Sequence, residues 1–107
     1  MTKMYDYTVF IGRFQPFHAG HYRVVKEALN KSNILIMLTE RDPFSYSERI
    51  EIIRAAVSEE EFARIRFQPI NDFPYNDTRW VAGVVQAVKN VHYEEWAAVG
   101  KYHAGPK

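Results

Sequence analysis

Two histidines three positions apart, His18 and His21, close the stretch GRFQPFHAGH at residues 12–21. That spacing puts both imidazoles on one face of the first turn of a helix. A helix N-terminus offers free N–H groups and the positive end of the dipole, so phosphate is favoured there. Two imidazoles at such a terminus can donate hydrogen bonds to oxygens whose charge changes during phosphoryl or nucleotidyl transfer. Gly12 would let the backbone approach a ligand without a Cβ in the way. No third histidine, cysteine or carboxylate stands nearby at metal-ligand spacing, so a zinc site is the weaker reading. An isolated HxxH is often just two surface histidines on an amphipathic helix. The context of strand, glycine, loop and helix favours function here, because ligands of open α/β sheets bind at the carboxyl ends of the strands.

The elements that must position this pair follow from the hydrophobic pattern. Residues 7–11 (YTVFI) read as a buried strand that stops at Gly12. Residues 19–30 carry Tyr22, Val25, Ala28 and Leu29 near helical spacing. Residues 33–38 (NILIML) read as a second buried strand, ended by the break at Asp42-Pro43. A second helix presents Ile50, Ile53, Ala56 and Val57 on one face, and residues 64–70 (RIRFQPI) alternate as a third strand. A third helix from Asp77 or Thr78 carries Trp80, Val81, Val84, Val85 and Val88. Residues 96–99 read as a fourth strand. The order β-α-β-α-β-α-β argues for a parallel sheet with helices on both faces.

The 107 residues suffice for one domain with one modest core. With 47% hydrophobic residues the chain is globular rather than disordered. It has no cysteine, which excludes disulfides and thiolate chemistry and fits an intracellular, cytoplasmic setting. Fourteen basic residues face thirteen acidic ones, so phosphate recognition must be local and nucleic acid is not an expected partner. No apolar run approaches the roughly 20 residues of a membrane helix, so no membrane association is expected.

GRFQPFHAGH resembles the HxGH signature of the nucleotidyltransferase superfamily. The longer form is similar to the archaeal-type nicotinamide mononucleotide adenylyltransferases. It is most similar to the adenylyltransferase domain of bifunctional enzymes that also carry a Nudix hydrolase domain. Arg41-Asp42-Pro43-Phe44 followed by Glu48-Arg49 resembles the family's RDPF…ER segment, and Tyr75-Asn76-Asp77 with Trp80 resembles its YND…W segment. The resemblance covers essentially the whole chain, residues 1–107, as the N-terminal part of an HxGH domain. It implies a Rossmann-like three-layer α/β sandwich, with the parallel sheet cut short after its fourth strand.

It further implies transfer of AMP from ATP to nicotinamide mononucleotide, giving NAD and pyrophosphate. Mg2+ would accompany ATP, and attack would be direct, with no covalent enzyme intermediate. By resemblance His18, His21 and Arg13 are catalytic. ATP would meet Gly12, Arg13, Phe14, His18, Gly20, His21 and Arg41. Asn76 and Trp80 would hold the nicotinamide end, although Trp80 also falls in step with Val84 and Val88 as a core residue. The family's ISTSxxR-like phosphate-binding segment has no counterpart after Trp96, and only Thr39 and Glu40 separate the second strand from Arg41. Two alternatives therefore stand beside the leading reading. One is a nucleotide-binding module that is catalytically incomplete. The other is adenylyl or cytidylyl transfer to a different small phosphate such as phosphopantetheine. A sheet ending at the fourth strand would leave an edge open, so a homo-oligomer is expected.

Overall fold

The run NILIML is apolar on both of its alternating faces, and a strand with that pattern belongs in the middle of a three-layer fold. The computed structural model, which describes residues 3–14, 16–40, 45–70 and 77–102, places it there. Strand β1 spans Tyr5–Ile11, helix α1 Ala19–Lys31, strand β2 Ser32–Glu40, helix α2 Ser45–Ala56 and helix α3 Glu59–Ala63. Strand β3, Ile65–Ile70, and helix α4, Asp77–Tyr102, follow. The sheet order is β1-β2-β3, and both pairings are parallel. Val9 stands opposite Ile36 on one side, and Met37 stands opposite Phe67 on the other.

Period-two alternation divides the core into two layers. Leu35 and Met37 join Val25, Ala28 and Leu29 of α1 and Ile53 of α2 on one face. Ile36 and Leu38 point the other way, onto Ile70 of β3 and Ala87 and Val91 of α4. All four of these β2 side chains are fully buried. Polar groups at the bottom of the sheet are paired. Thr8 and Ser32 share a hydroxyl–hydroxyl bond. The Arg64 guanidinium donates to the carbonyls of Leu29 (2.6 Å), Ser32 (2.5 Å) and Asn33 (3.0 Å), covering the C-terminal end of α1. No helix among the described residues is long and apolar enough to cross a membrane.

The fold differs from the sequence expectation in two elements. Residues 96–99 are not a fourth strand; they continue α4, so the described sheet has three strands. A four-residue apolar run cannot be told from a helical segment by its own periodicity. No proline or glycine interrupts residues 84–99, and the helical stripe Trp80, Val84, Ala87, Val88 and Val91 continues to Glu95, which pairs with Arg66 of β3. Trp96 falls off that stripe and is 68% exposed. The second difference is α3, which has a local cause. Ser58 Oγ accepts the Glu61 N–H at 3.0 Å, and the Glu61 carboxylate accepts the Ser58 N–H at 2.8 Å, a reciprocal capping box.

The two layers make a discriminating expectation. Leu35→Ala should lower unfolding free energy by about 2–5 kcal/mol, as for a filled core site. Trp96→Ala should change it by no more than about 0.5 kcal/mol, as on a surface. Denaturant titration of both variants checks this; a core-sized loss at Trp96 would contradict the helical assignment.

Candidate nucleotide site

The site grows from the junction of β1 and α1. Strand pairing continues one residue past β1, since the Gly12 N–H donates to the Leu38 carbonyl at 3.0 Å. The chain then bends sharply. Phe14 adopts φ 53°, a left-handed conformation unusual for a large side chain. The bend drops the Phe14 ring into the core, where it is 3% exposed. There it meets Phe10 edge-on at 4.9 Å and His21 edge-on at 5.4 Å between centroids. A Cβ on Gly12 would come within 2.9 Å of that ring. Packing against Phe14 is therefore by itself a reason for glycine at position 12.

His18 is the N-cap of α1 and His21 is the third helical residue. Serine, threonine, aspartate or asparagine ordinarily fills the N-cap position; here an imidazole does. His18 Nδ1 accepts the N–H of Gly20 at 3.1 Å and of His21 at 3.4 Å. His21 Nδ1 in turn accepts the His18 N–H at 3.1 Å. The two histidines thus form a reciprocal capping box. Their rings stack at 3.7 Å between centroids and 18° between planes. Phe17 stacks on His21 from a further 5.5 Å. A Cβ on Gly20 would lie 3.0 Å from His18 Cε1 and 3.1 Å from His18 Nδ1, so the glycine of HxGH makes room for the capping ring.

This geometry fixes protonation. An Nδ1 that accepts a backbone N–H carries no proton, so a neutral ring must hold its proton on Nε2. Each ring therefore has an Nε2–H donor to offer, and neither can become imidazolium without giving up its cap. Burial of the ring, and then the neighbouring His18, hold His21 below the ordinary imidazole range.

Behind the loop, Thr39 at the end of β2 is buried, and its hydroxyl donates to the Arg13 carbonyl at 3.3 Å. Arg49 of α2 is also buried, and its Nη1 donates to the same carbonyl at 3.4 Å and to Thr39 Oγ1. In the sequence Arg49 appears as part of the ER pair after residues 41–44 and Thr39 as the residue following the second strand, and neither carries a site role there. The available signal is that Arg49 lies one helical turn before buried Ile53, and so faces the core.

The structure brings Gly12, Arg13, Phe14, His18, Gly20 and His21 together, with the Arg13 side chain exposed. The Phe14 ring is internal, so its contribution comes through the bend and its contact with His21. Trp80 lies at the first turn of α4, half-buried against the cluster containing Ile36 and Leu38. Arg41 and Asn76 lie outside the described residues. Among those residues no three histidine, cysteine or acidic side chains form a group able to hold a metal ion.

Known proteins resemble this chain in sequence and fold. A profile described as cytidylyltransferase-like matches residues 9–101. A nicotinamide/nicotinic acid mononucleotide adenylyltransferase of Acinetobacter baylyi is 42% identical over 95 residues, covering 81% of this chain and 50% of that one. A nicotinamide-nucleotide adenylyltransferase of Archaeoglobus fulgidus is 36% identical, covering 74% of this chain and 52% of that one. The crystal structure of a bifunctional NMN adenylyltransferase/ADP ribose pyrophosphatase of Francisella tularensis, complexed with AMP and a manganese ion, superposes with a TM-score of 0.72 at 31% identity. That match covers 81% of this chain and 28% of the other. The chain spans about half the length of the curated relatives it matches.

Two expectations follow from the paired cap. Gly20→Ala should displace the exposed His18 ring by a few tenths of an ångström, weakening a cap worth about 1 kcal/mol against a helix-propensity gain of about the same size, so melting should move little. Shifted His18 and His21 ring signals in the aromatic NMR spectrum should accompany it, and unshifted signals would contradict the contact. The second concerns pH. Folded His21 binds a proton less readily than unfolded His21, so the unfolded state holds more protons between the two pKa values and stability rises with pH there. The His21 contribution is complete above about 6.5, the unperturbed value, and is lost as pH falls through the folded value. Melting temperature should therefore fall less steeply on acidification in His21→Gln than in the parent chain; equal slopes would contradict the assignment.

Proposed function

The chain belongs to the cytidylyltransferase-like family, and on that premise we propose that it transfers AMP from ATP to nicotinamide mononucleotide, yielding NAD and pyrophosphate. The observation that carries this reading is the reciprocal histidine cap, which supplies two neutral Nε2–H donors at a helix N-terminus. The names of the relatives from Acinetobacter baylyi and Archaeoglobus fulgidus support the choice of acceptor.

In this reading a phosphate oxygen of the mononucleotide attacks the α-phosphorus of ATP in line. A new P–O bond forms, the bond to the β-phosphate oxygen breaks, and its electron pair leaves with pyrophosphate. No proton has to be removed from an already ionised phosphate, so the protein needs positioned donors rather than a base. His18 and His21 would donate from Nε2–H to phosphate oxygens, with His21 mattering most as negative charge shifts to the leaving group. Arg13, and Arg41 by resemblance, would pair with the triphosphate through their guanidinium forks. Trp80 and Asn76 would meet the nicotinamide end. Trp80 would do so from a ring already half-packed into the core. Mg2+ would enter with ATP, held by phosphate oxygens and water.

The test is product formation by the chain with ATP, nicotinamide mononucleotide and Mg2+, read as NAD and pyrophosphate by chromatography. NAD should form, and His21→Ala should reduce its rate by about 100- to 1,000-fold, the scale for removing one preorganised donor. ATP binding without NAD would overturn the catalytic reading and leave a nucleotide-binding module. Product formed with phosphopantetheine but not with nicotinamide mononucleotide would overturn the acceptor.

A further inference from the structure

We infer that Arg49 is a positioning residue of the nucleotide site, acting through the Arg13 carbonyl and Thr39 to hold the bend that packs Phe14 against His21. The inference rests on the nucleotide-site reading above and adds to it a residue one layer behind the loop.

The chain of contacts is continuous. Arg49 is 5% exposed on α2, and its Nη1 reaches the Arg13 carbonyl at 3.4 Å and Thr39 Oγ1. Thr39 is 2% exposed, and its hydroxyl donates to that carbonyl at 3.3 Å. The carbonyl of Arg13 belongs to the peptide unit that leads into Phe14, the residue at φ 53°. A bulky residue in that region costs about 1–3 kcal/mol and persists only where its surroundings over-determine it. Two donors converging on one carbonyl are such a constraint. Beyond the bend, the Phe14 ring sits edge-on to His21 at 5.4 Å. Residues 13 and 14 thus receive their conformation from α2 and from the end of β2, while the Phe14 ring packs against His21.

Arginine suits this task better than lysine. A planar guanidinium can donate to two acceptors at a fixed angle, whereas an ammonium on a flexible stem is a point donor. A purely structural Arg49 would be a packing element of α2 beside Ile53, and its loss would cost stability alone. A positioning Arg49 also controls where the loop and the His21 ring sit.

The experiment compares Arg49→Lys and Thr39→Val with the parent chain, each shown to be folded by circular dichroism. ATP affinity is read by calorimetry, and the His18 and His21 ring nitrogens by long-range proton–nitrogen NMR across pH. Both variants should weaken ATP binding by about tenfold or more, because small misplacements of a site act on this scale. In both, the His21 titration midpoint should move up toward that of an ordinary imidazole. Variants that melt earlier but keep parental ATP affinity and the parental His21 titration would overturn the inference. Should Arg49→Lys fail to fold, Thr39→Val carries the same two readouts. Should the parent chain not bind ATP, the nucleotide reading fails by itself, and the His21 titration still decides whether Arg49 positions the pair.

Discussion

Everything at the site depends on where two protons are not. Both Nδ1 atoms accept backbone N–H groups, so the start of α1 exists in this form only while His18 and His21 are unprotonated at Nδ1. Helix capping and ligand chemistry are usually separate tasks of separate residues. Here one pair of rings caps with Nδ1 and carries its protons on Nε2, so in the proposed function the same pair would also meet the ligand. The donor end would then be preorganised by the folding of the helix before any phosphate arrives. A serine cap would satisfy the same N–H groups, but its short side chain would leave no second donor atom of this kind.

The sheet supplies the rigid ground for that arrangement. β2 is paired on both edges and covered on both faces, and its Leu35–Leu38 run is fully buried. Its C-terminal end reaches the loop twice, through the Leu38 carbonyl to Gly12 and through Thr39 to Arg13. The loop after β1 is thus tied to the strand beside it at two successive residues. Anchored that way, Phe14 can hold a strained backbone while its ring joins Phe10, Phe17 and His21.

Much of this was legible in the sequence, for identifiable reasons. β1, β2 and β3 are apolar or alternating runs bounded by Gly12, by Asp42-Pro43 and by the residues after Ile70, and strand periodicity is a local property. The face of α1 was legible too, since Val25, Ala28 and Leu29 are the residues that became buried. What escaped was decided elsewhere in the fold. Residues 96–99 looked like a strand because WAAV is apolar, yet the stripe through Val91 and Glu95 and the Arg66 pairing belong to a helix. Arg49 stands in the ER pair of the family-like segment with no role attached, and its reason to be inside lies outside its own helix, at Thr39 and at the carbonyl of a residue 36 positions earlier. Val81 and Val85 looked like core and are about half exposed, because α4 turns the Trp80, Val84 and Val88 side of its surface to the sheet.

The spelling of the motif itself now has a physical account that does not begin with a ligand. Gly12 yields to the Phe14 ring, and Gly20 yields to the His18 ring. Phe14 and Phe17 frame His21, and the two histidines cap each other's backbone. Gly12, Phe14, Phe17, His18, Gly20 and His21 are thus each constrained by a neighbour inside the protein. The Arg13 side chain lies at the surface, and each ring of the histidine pair keeps its proton on Nε2. A segment that presents donors of this kind is suited to a ligand rich in acceptor oxygens. Polyphosphate meets that description, because its oxygens are acceptors only and the capped rings have donors to give them.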